Sequence, residues 1–157
     1  MIRPATPADV PSIAALIRAL AEYEKLSHEV VLDEATLRDH LFGPRPFAEV
    51  LMAEADGRAV GFALFFFNYS TFLAKPGIYL EDLFVLPEYR GHGLGKGLLI
   101  ALAKLAEERD CGRLEWAVLD WNEPSIRFYQ ALGARPKDEW VLYRMTREAI
   151  SALAAEG

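Results

Sequence analysis

The stretch Arg90-Gly91-His92-Gly93-Leu94-Gly95-Lys96-Gly97 follows the apolar run Tyr79-Leu80-Glu81-Asp82-Leu83-Phe84-Val85-Leu86 and opens the longest amphipathic run of the chain. Four glycines in alternation let a backbone take positive φ and approach a ligand closely, and successive N–H groups in such a turn form a concave anion site. A helix behind the turn adds unpaired first-turn N–H donors and the positive end of its dipole. The stretch therefore reads as a strand, a pyrophosphate-binding turn and a helix. A Walker A loop is excluded, because it needs Gly where this chain has Arg90 and Ser or Thr where it has Gly97. The dinucleotide fingerprint is excluded as well: counted from Gly91 and Gly93, its third glycine falls on Lys96. What remains is Arg-x-x-Gly-x-Gly, on Arg90, Gly93 and Gly95.

Working outward, 157 residues with 52% hydrophobic and 25% charged content suit one domain with a substantial core. No apolar run approaches the ~20 residues of a membrane span, and no basic-then-apolar leader opens the chain, so a soluble cytoplasmic protein without a membrane partner is expected. The net charge of -6 runs against a nucleic-acid partner and favours a cationic small molecule. The single cysteine, Cys111, reads as filler at a helix end. His28, His40 and His92 have no metal-ligand spacing, so no metal site is expected.

Met1-Ile2-Arg3-Pro4 reads as a first strand, and Thr6-Pro7-Ala8-Asp9 as the cap of a helix whose apolar face is Val10, Ile13, Ala14, Ile17, Leu20 and Ala21. A second helix starts at Asp33 and stops at Gly43-Pro44. Residues 47–55 and 58–68 read as strands joined by an Asp56-Gly57 hairpin turn. Phe65-Phe66-Phe67 suggests a strand covered on both faces, and residues 68–77 a loop able to form a lid. After the phosphate turn, Leu94, Leu98, Leu102 and Leu105 mark a helix ended by Cys111-Gly112. A strand over 114–119, a helix from Asn122 or Glu123 to Gly133, a last strand over 140–145 and a terminal helix over 147–155 complete a mixed α/β sheet.

Glu81 and Asp82 interrupt an apolar strand just upstream of the turn. Adjacent strand residues face opposite ways, so both carboxylates reach one site only across a bulge; otherwise one faces water and the other is salt-bridged. A partly buried carboxylate there suits a general base taking a proton from an ammonium through water. Asn122, Ser125 and Tyr129 fall three and four apart and line one side of a helix, a polar stripe where a core face is expected, and a lone tyrosine there reads as core with its hydroxyl satisfied.

From Tyr79 through Gly97, and on through Leu119-Asp120-Trp121-Asn122-Glu123-Pro124-Ser125-Ile126 and Phe128-Tyr129 to Leu132-Gly133-Ala134, the chain resembles the GNAT superfamily of N-acetyltransferases, in its spermidine/spermine and thialysine branch. The resemblance includes Ile2-Arg3-Pro4-Ala5-Thr6 and Tyr23-Glu24. It implies a single domain over residues 1–157 with a mixed, largely antiparallel central sheet flanked by helices, acetyl-CoA as cosubstrate, and a homodimer. It also implies that Leu83, Phe84 and Val85 pair with the pantetheine arm, while Arg90, Gly91, His92, Gly93, Leu94, Gly95 and Lys96 form the pyrophosphate turn. By the same resemblance Asn122 and Ser125 contact the cofactor, Tyr129 protonates the departing thiolate, and Glu81 binds or deprotonates the amine, with Tyr23, Glu24 and Asp82 on the acceptor side. The chain departs from the polyamine enzymes between Asn68 and Gly77, where they carry a tryptophan and it has Phe72-Leu73-Ala74 and Pro76.

The expected activity is acetyl transfer from acetyl-CoA to a primary amine of a small molecule by direct attack, an amino acid or thialysine-like amine being favoured over spermidine or spermine. A non-catalytic acyl-CoA-binding module keeps the turn without working acid and base groups, and a nucleotide-binding protein is the third alternative.

Overall fold

The computed structural model describes all 157 residues. Five strands, β1 (Ile2–Pro4), β2 (Glu49–Ala55), β3 (Arg58–Ser70), β4 (Lys75–Val85) and β5 (Leu114–Trp116), form one sheet in sequence order. The first three pairings are antiparallel and β4–β5 is parallel. This is the mixed, largely antiparallel sheet expected from the sequence. Helices α1 (Val10–Tyr23), α2 (Glu34–Phe42) and α3 (Leu94–Glu108) lie between the strands in sequence, and α4 (Glu123–Ala131) and α5 (Arg147–Ala154) follow. Packing divides the chain into two compact units, residues 1–119 and 120–157.

The core of the first unit is a cross-strand row. Met52 lies opposite Phe62 and Phe62 opposite Phe84, all three buried, and Ile13, Leu16 and Leu20 of α1 and Leu41 of α2 cover them. Each side chain of this size contributes about 1.5–3 kcal/mol by leaving water. The helical periodicity is met at most positions: Val10, Ile13, Ala14, Leu20 and Ala21 are buried in α1 as expected, with Leu16 buried and Ile17 only half-buried, and in α3 Leu98 and Leu102 are buried with Leu99, while Leu94 and Leu105 are half-buried.

Local chemistry behaves as the sequence dictates at most boundaries. Thr6 caps a 3-10 turn over Pro7–Asp9 that leads into α1. The Asp33 side chain accepts the Thr36 N–H at the start of α2. Asp56 and Gly57 both take positive φ, 51° and 73°, the two-residue turn whose twist matches the strands it joins.

Four expectations are corrected. The lid over 68–77 is a hairpin tip: the β3–β4 ladder continues to Ser70 opposite Lys75, leaving only Thr71 to Ala74 as the turn. Phe65 is buried but Phe67 is exposed, with Arg109 over its ring at 4.9 Å, so β3 is covered on one face only at its far end. The strand over 114–119 ends at Trp116, because its ladder with β4 ends at Leu80 opposite Trp116. Residues 140–145 form no strand, and Trp140, Val141, Leu142 and Tyr143 are exposed. A strand exists only through a ladder, and the unit 120–157 holds no second strand to supply one.

Arg3 ties β1 to the start of α1. Its two terminal nitrogens each donate to an Asp9 oxygen at 2.8 Å, and Nε donates to Glu54 at the same distance. The Arg3 guanidinium holds the Asp9 carboxyl down at about 2, with burial opposing it and the Thr6 N–H assisting. A depressed carboxylate stabilises the fold above its unfolded value of 3.8 and loses that contribution as pH falls through about 2. Asp9→Asn is expected to cost about 1–3 kcal/mol in urea unfolding at neutral pH. The difference between the two proteins should shrink between pH 4 and pH 2; a constant difference down to pH 2 would show that the ion pair is not its source.

Candidate active site

The site begins where β4 departs from regular geometry. Leu64 lies opposite Asp82 and Phe65 opposite Leu80, so Glu81 is an extra residue and β4 carries a bulge there. Asp82 stands two residues before Phe84, on the face covered by α1, and extends the row Val50–Leu64. In a regular strand Glu81 would face away from it. The bulge removes that alternation and lets the two carboxylates serve one site.

Electrostatics shows the gathering. Burial first, then the charges of Glu81 and Glu24, push Asp82 up to about 6. Burial also raises Glu24, the C-cap of α1. Glu81 itself is exposed. Three acids therefore converge from the end of α1 and the bulge of β4, an arrangement whose complement is a cation. Tyr23, the last residue of α1, packs against Phe84 with ring centroids 6.4 Å apart. Sequence reasoning gave the leading role to Glu81. The carboxyl that burial pushes up to about 6 is Asp82, and its only advance signal was two adjacent acids inside an apolar strand.

The second half of the site is the end of β4. β5 pairs with Ile78, Tyr79 and Leu80 and then leaves it, so Leu83, Phe84 and Val85 have β3 on one side and no strand on the other. Such an edge offers backbone N–H and C=O groups to an extended, amide-bearing ligand. After Val85 a 3-10 turn over Pro87–Tyr89 brings the chain to Arg90.

Gly91 and Gly93 then take φ of +81° and +84°, conformations that L side chains rarely adopt. Gly93 is the N-cap of α3, and Leu94, Gly95 and Lys96 occupy its first turn, where N–H groups have no intrahelical acceptor. No atom lies within 4 Å of where a Cβ on Gly91 or Gly93 would stand. Open space, first-turn donors and the helix dipole suit a pyrophosphate. His92 is exposed in the turn, with Nδ1 3.4 Å from the Tyr89 carbonyl oxygen.

In the second unit Asn122 is the buried N-cap of α4, and its carbonyl accepts the Ile126 N–H. Ser125 lies in the first turn, half-buried, and Tyr129 one turn later, half-buried with its ring 5.6 Å from Phe128. The spacing of the three along α4 is as the sequence set it. No group of three or more His, Cys, Asp or Glu side chains is arranged to hold a metal ion, and no helix is long and apolar enough to cross a membrane.

The model of the acetyltransferase (GNAT) family matches residues 14–134. A thialysine N-epsilon-acetyltransferase of Bos taurus is 43% identical, over 99% of this chain and 98% of its own length. An L-ornithine N5-acetyltransferase of Arabidopsis thaliana is 38% identical, over 97% and 86%. Among solved structures, an integron cassette protein from the mobile metagenome of V. cholerae shares the fold with a TM-score of 0.81 at 24% identity, over 98% and 96% of the two chains. A strand with a free edge, a glycine turn at its end, a family model spanning most of the chain and relatives matched end to end agree: this chain belongs to the acetyltransferase (GNAT) family.

Proposed function

We propose that this protein transfers the acetyl group of acetyl-CoA to the primary amine of a small molecule by direct attack, and that the acceptor is compact, an amino acid or a thialysine-like amine. The observation that carries the reading is the convergence of Glu24, Glu81 and Asp82 on the strand whose end becomes the glycine turn. The names of the relatives, thialysine and ornithine acetyltransferases, support the choice of acceptor. A long polyamine needs a string of carboxylates to replace its water, and each ammonium left buried without one is costly. The hairpin tip at Thr71 to Ala74 supplies none. A relative named for spermidine and spermine, 33% identical over 99% of this chain, keeps polyamines as the second reading.

In this reading the N–H groups from Gly91 to Lys96 hold the pyrophosphate, with Arg90 opening the turn, and the free edge at Leu83, Phe84 and Val85 pairs with the pantetheine amides. Acetyl-CoA supplies the activated acetyl group as a thioester. Tyr23, Glu24, Glu81 and Asp82 receive the ammonium, and Glu81 takes its proton through water. Asn122 and Ser125 touch the cofactor, and the Tyr129 hydroxyl gives a proton to the departing sulfur. No covalent enzyme intermediate is needed. The two units act as one acetyltransferase domain, in the cytoplasm and as a homodimer, a state read by sedimentation velocity.

Gly93→Asp is expected to abolish acetyl-CoA binding in calorimetric titration, because a side chain at φ +84° strains the turn and a carboxylate repels the pyrophosphate. Unchanged affinity in the folded variant would move the cofactor elsewhere. Tyr129→Phe keeps the ring and removes the hydroxyl, so kcat should fall by roughly 10²–10⁴ with acetyl-CoA affinity little altered. Full turnover would leave the hydroxyl a structural role.

The acceptor is tested by free-thiol release with thialysine, L-ornithine and spermidine; a higher kcat/KM for spermidine than for either compact amine would overturn the preference. With the preferred amine, kcat/KM should fall on the acid side of about pH 6, as the raised Asp82 carboxyl takes up its proton and ceases to attract the ammonium. Asp82→Asn should lower kcat/KM and flatten that limb. An unchanged limb would assign it to another member of the coupled acidic group.

A further inference from the structure

Arg90 opens the glycine turn, and the resemblance counts it among the cofactor-binding residues. In the structure its guanidinium is engaged elsewhere. Nε donates to the Val85 carbonyl at 2.8 Å, while Cζ lies 4.9 Å from the centroid of the Tyr23 ring and 5.3 Å from that of Phe84. The cation thus stacks on two aromatic rings that already touch each other, one at the end of α1 and one in β4.

The consequence follows from what each partner carries. Val85 is the last residue of β4 and the end of its free edge. Phe84 belongs to the core row with Phe62 and Met52 and is buried. Tyr23 ends α1, and the next residue is Glu24, one of the acids acting on Asp82. The backbone of Arg90 leads directly into Gly91, where the turn begins. One side chain therefore joins the start of the turn, the end of β4 and the end of α1.

We propose that Arg90 is a positioning residue: its guanidinium, bonded to the Val85 carbonyl and stacked on Tyr23 and Phe84, fixes the end of α1 with Glu24 against the start of the turn and so couples amine binding to cofactor binding. The inference rests on the acetyltransferase reading above and adds to it the residue that links the two halves of the site. Only arginine suits the position, because a planar fork can donate in its plane while its face lies on a ring; an ammonium cannot do both. Coupling between sites is reciprocal, so coenzyme A bound in the turn tightens the amine and the amine tightens coenzyme A by the same factor.

The test uses the full chain, acetyl-CoA, coenzyme A and whichever of thialysine, L-ornithine or spermidine has the highest kcat/KM. Arg90→Met keeps the stem and loses the fork. It should leave the acetyl-CoA Kd within about threefold of native while raising the KM for the amine about tenfold, and coenzyme A should cease to tighten the amine in calorimetric titration. Arg90→Lys should recover only part of the loss, and it carries the same comparison if the methionine variant does not fold. Tyr23→Leu should reproduce the amine defect, and Arg90→Met with Tyr23→Leu should be no worse than the poorer single variant, since both remove one stacked pair.

A loss of acetyl-CoA affinity of about tenfold or more with an unchanged amine KM would make Arg90 a phosphate ligand and overturn the proposal. Amine defects that multiply in the double variant would overturn it too, by showing that Arg90 does not act through Tyr23. Failure of the native chain to bind acetyl-CoA at all would instead remove the reading on which the proposal rests.

Discussion

A single extra residue in β4 organises the site. Glu81 has no opposite number in β3, so the ladder passes from Leu80 opposite Phe65 to Asp82 opposite Leu64. A bulge breaks the strict alternation of a strand and bends it. Two things depend on that break. The carboxylates of Glu81 and Asp82 gain access to one site, although they are neighbours in sequence. On the other edge of β4 the ladder with β5 reaches Leu80 and stops there, one residue before the bulge. The same irregularity that gathers the acids thus accompanies the opening of the strand edge from which Leu83 to Val85 offer their backbone.

The acids are held in place by apolar packing. Asp82 shares its face of the sheet with Phe84, and α1 covers that face through Ile13, Leu16 and Leu20. Burial is the largest cause of the upward shift of Asp82, with the charges of Glu81 and Glu24 adding to it. Close acids in a half-buried place resist full ionisation, and an incoming ammonium relieves the repulsion as it binds. The carboxylate cluster is stabilised least when empty of positive charge, and a cation placed beside it would lower its energy. Asp9 is the contrast: its carboxyl meets Arg3 within the fold, is held down at about 2, and takes a structural part.

The glycine turn depends on backbone conformation rather than side-chain chemistry. Gly91 and Gly93 take positive φ in succession around His92, and Gly93 then caps α3. α3 is fixed on the sheet by Leu98, Leu99 and Leu102, so its first turn is presented at the end of β4 by the same packing that forms the core. Arg90 adds a side-chain link at this point, from the start of the turn to the rings of Tyr23 and Phe84.

Much of this was legible in the sequence, because the chemistry is local. The Asp56-Gly57 turn, the Asp33 cap, the apolar face of α1 and the glycine turn are decided by residues within one or two turns of one another, and each stands where its pattern indicates, save that Leu16 rather than Ile17 completes the buried face of α1. Pairing is not local. Residues 140–145 have the composition of a strand and form none, since composition cannot supply a ladder partner. The run 68–77 has the composition of a loop, and most of it is ladder, because β3 and β4 continue to pair through it. The bulge at Glu81, the burial of Asp82 and the stacking of the Arg90 guanidinium on Tyr23 and Phe84 depend on how β3, β5 and α1 meet β4. Sequence could name the two acids and the arginine. Only the register of neighbouring strands and the covering helix decided that the acids converge and that the arginine lies over the rings of Tyr23 and Phe84.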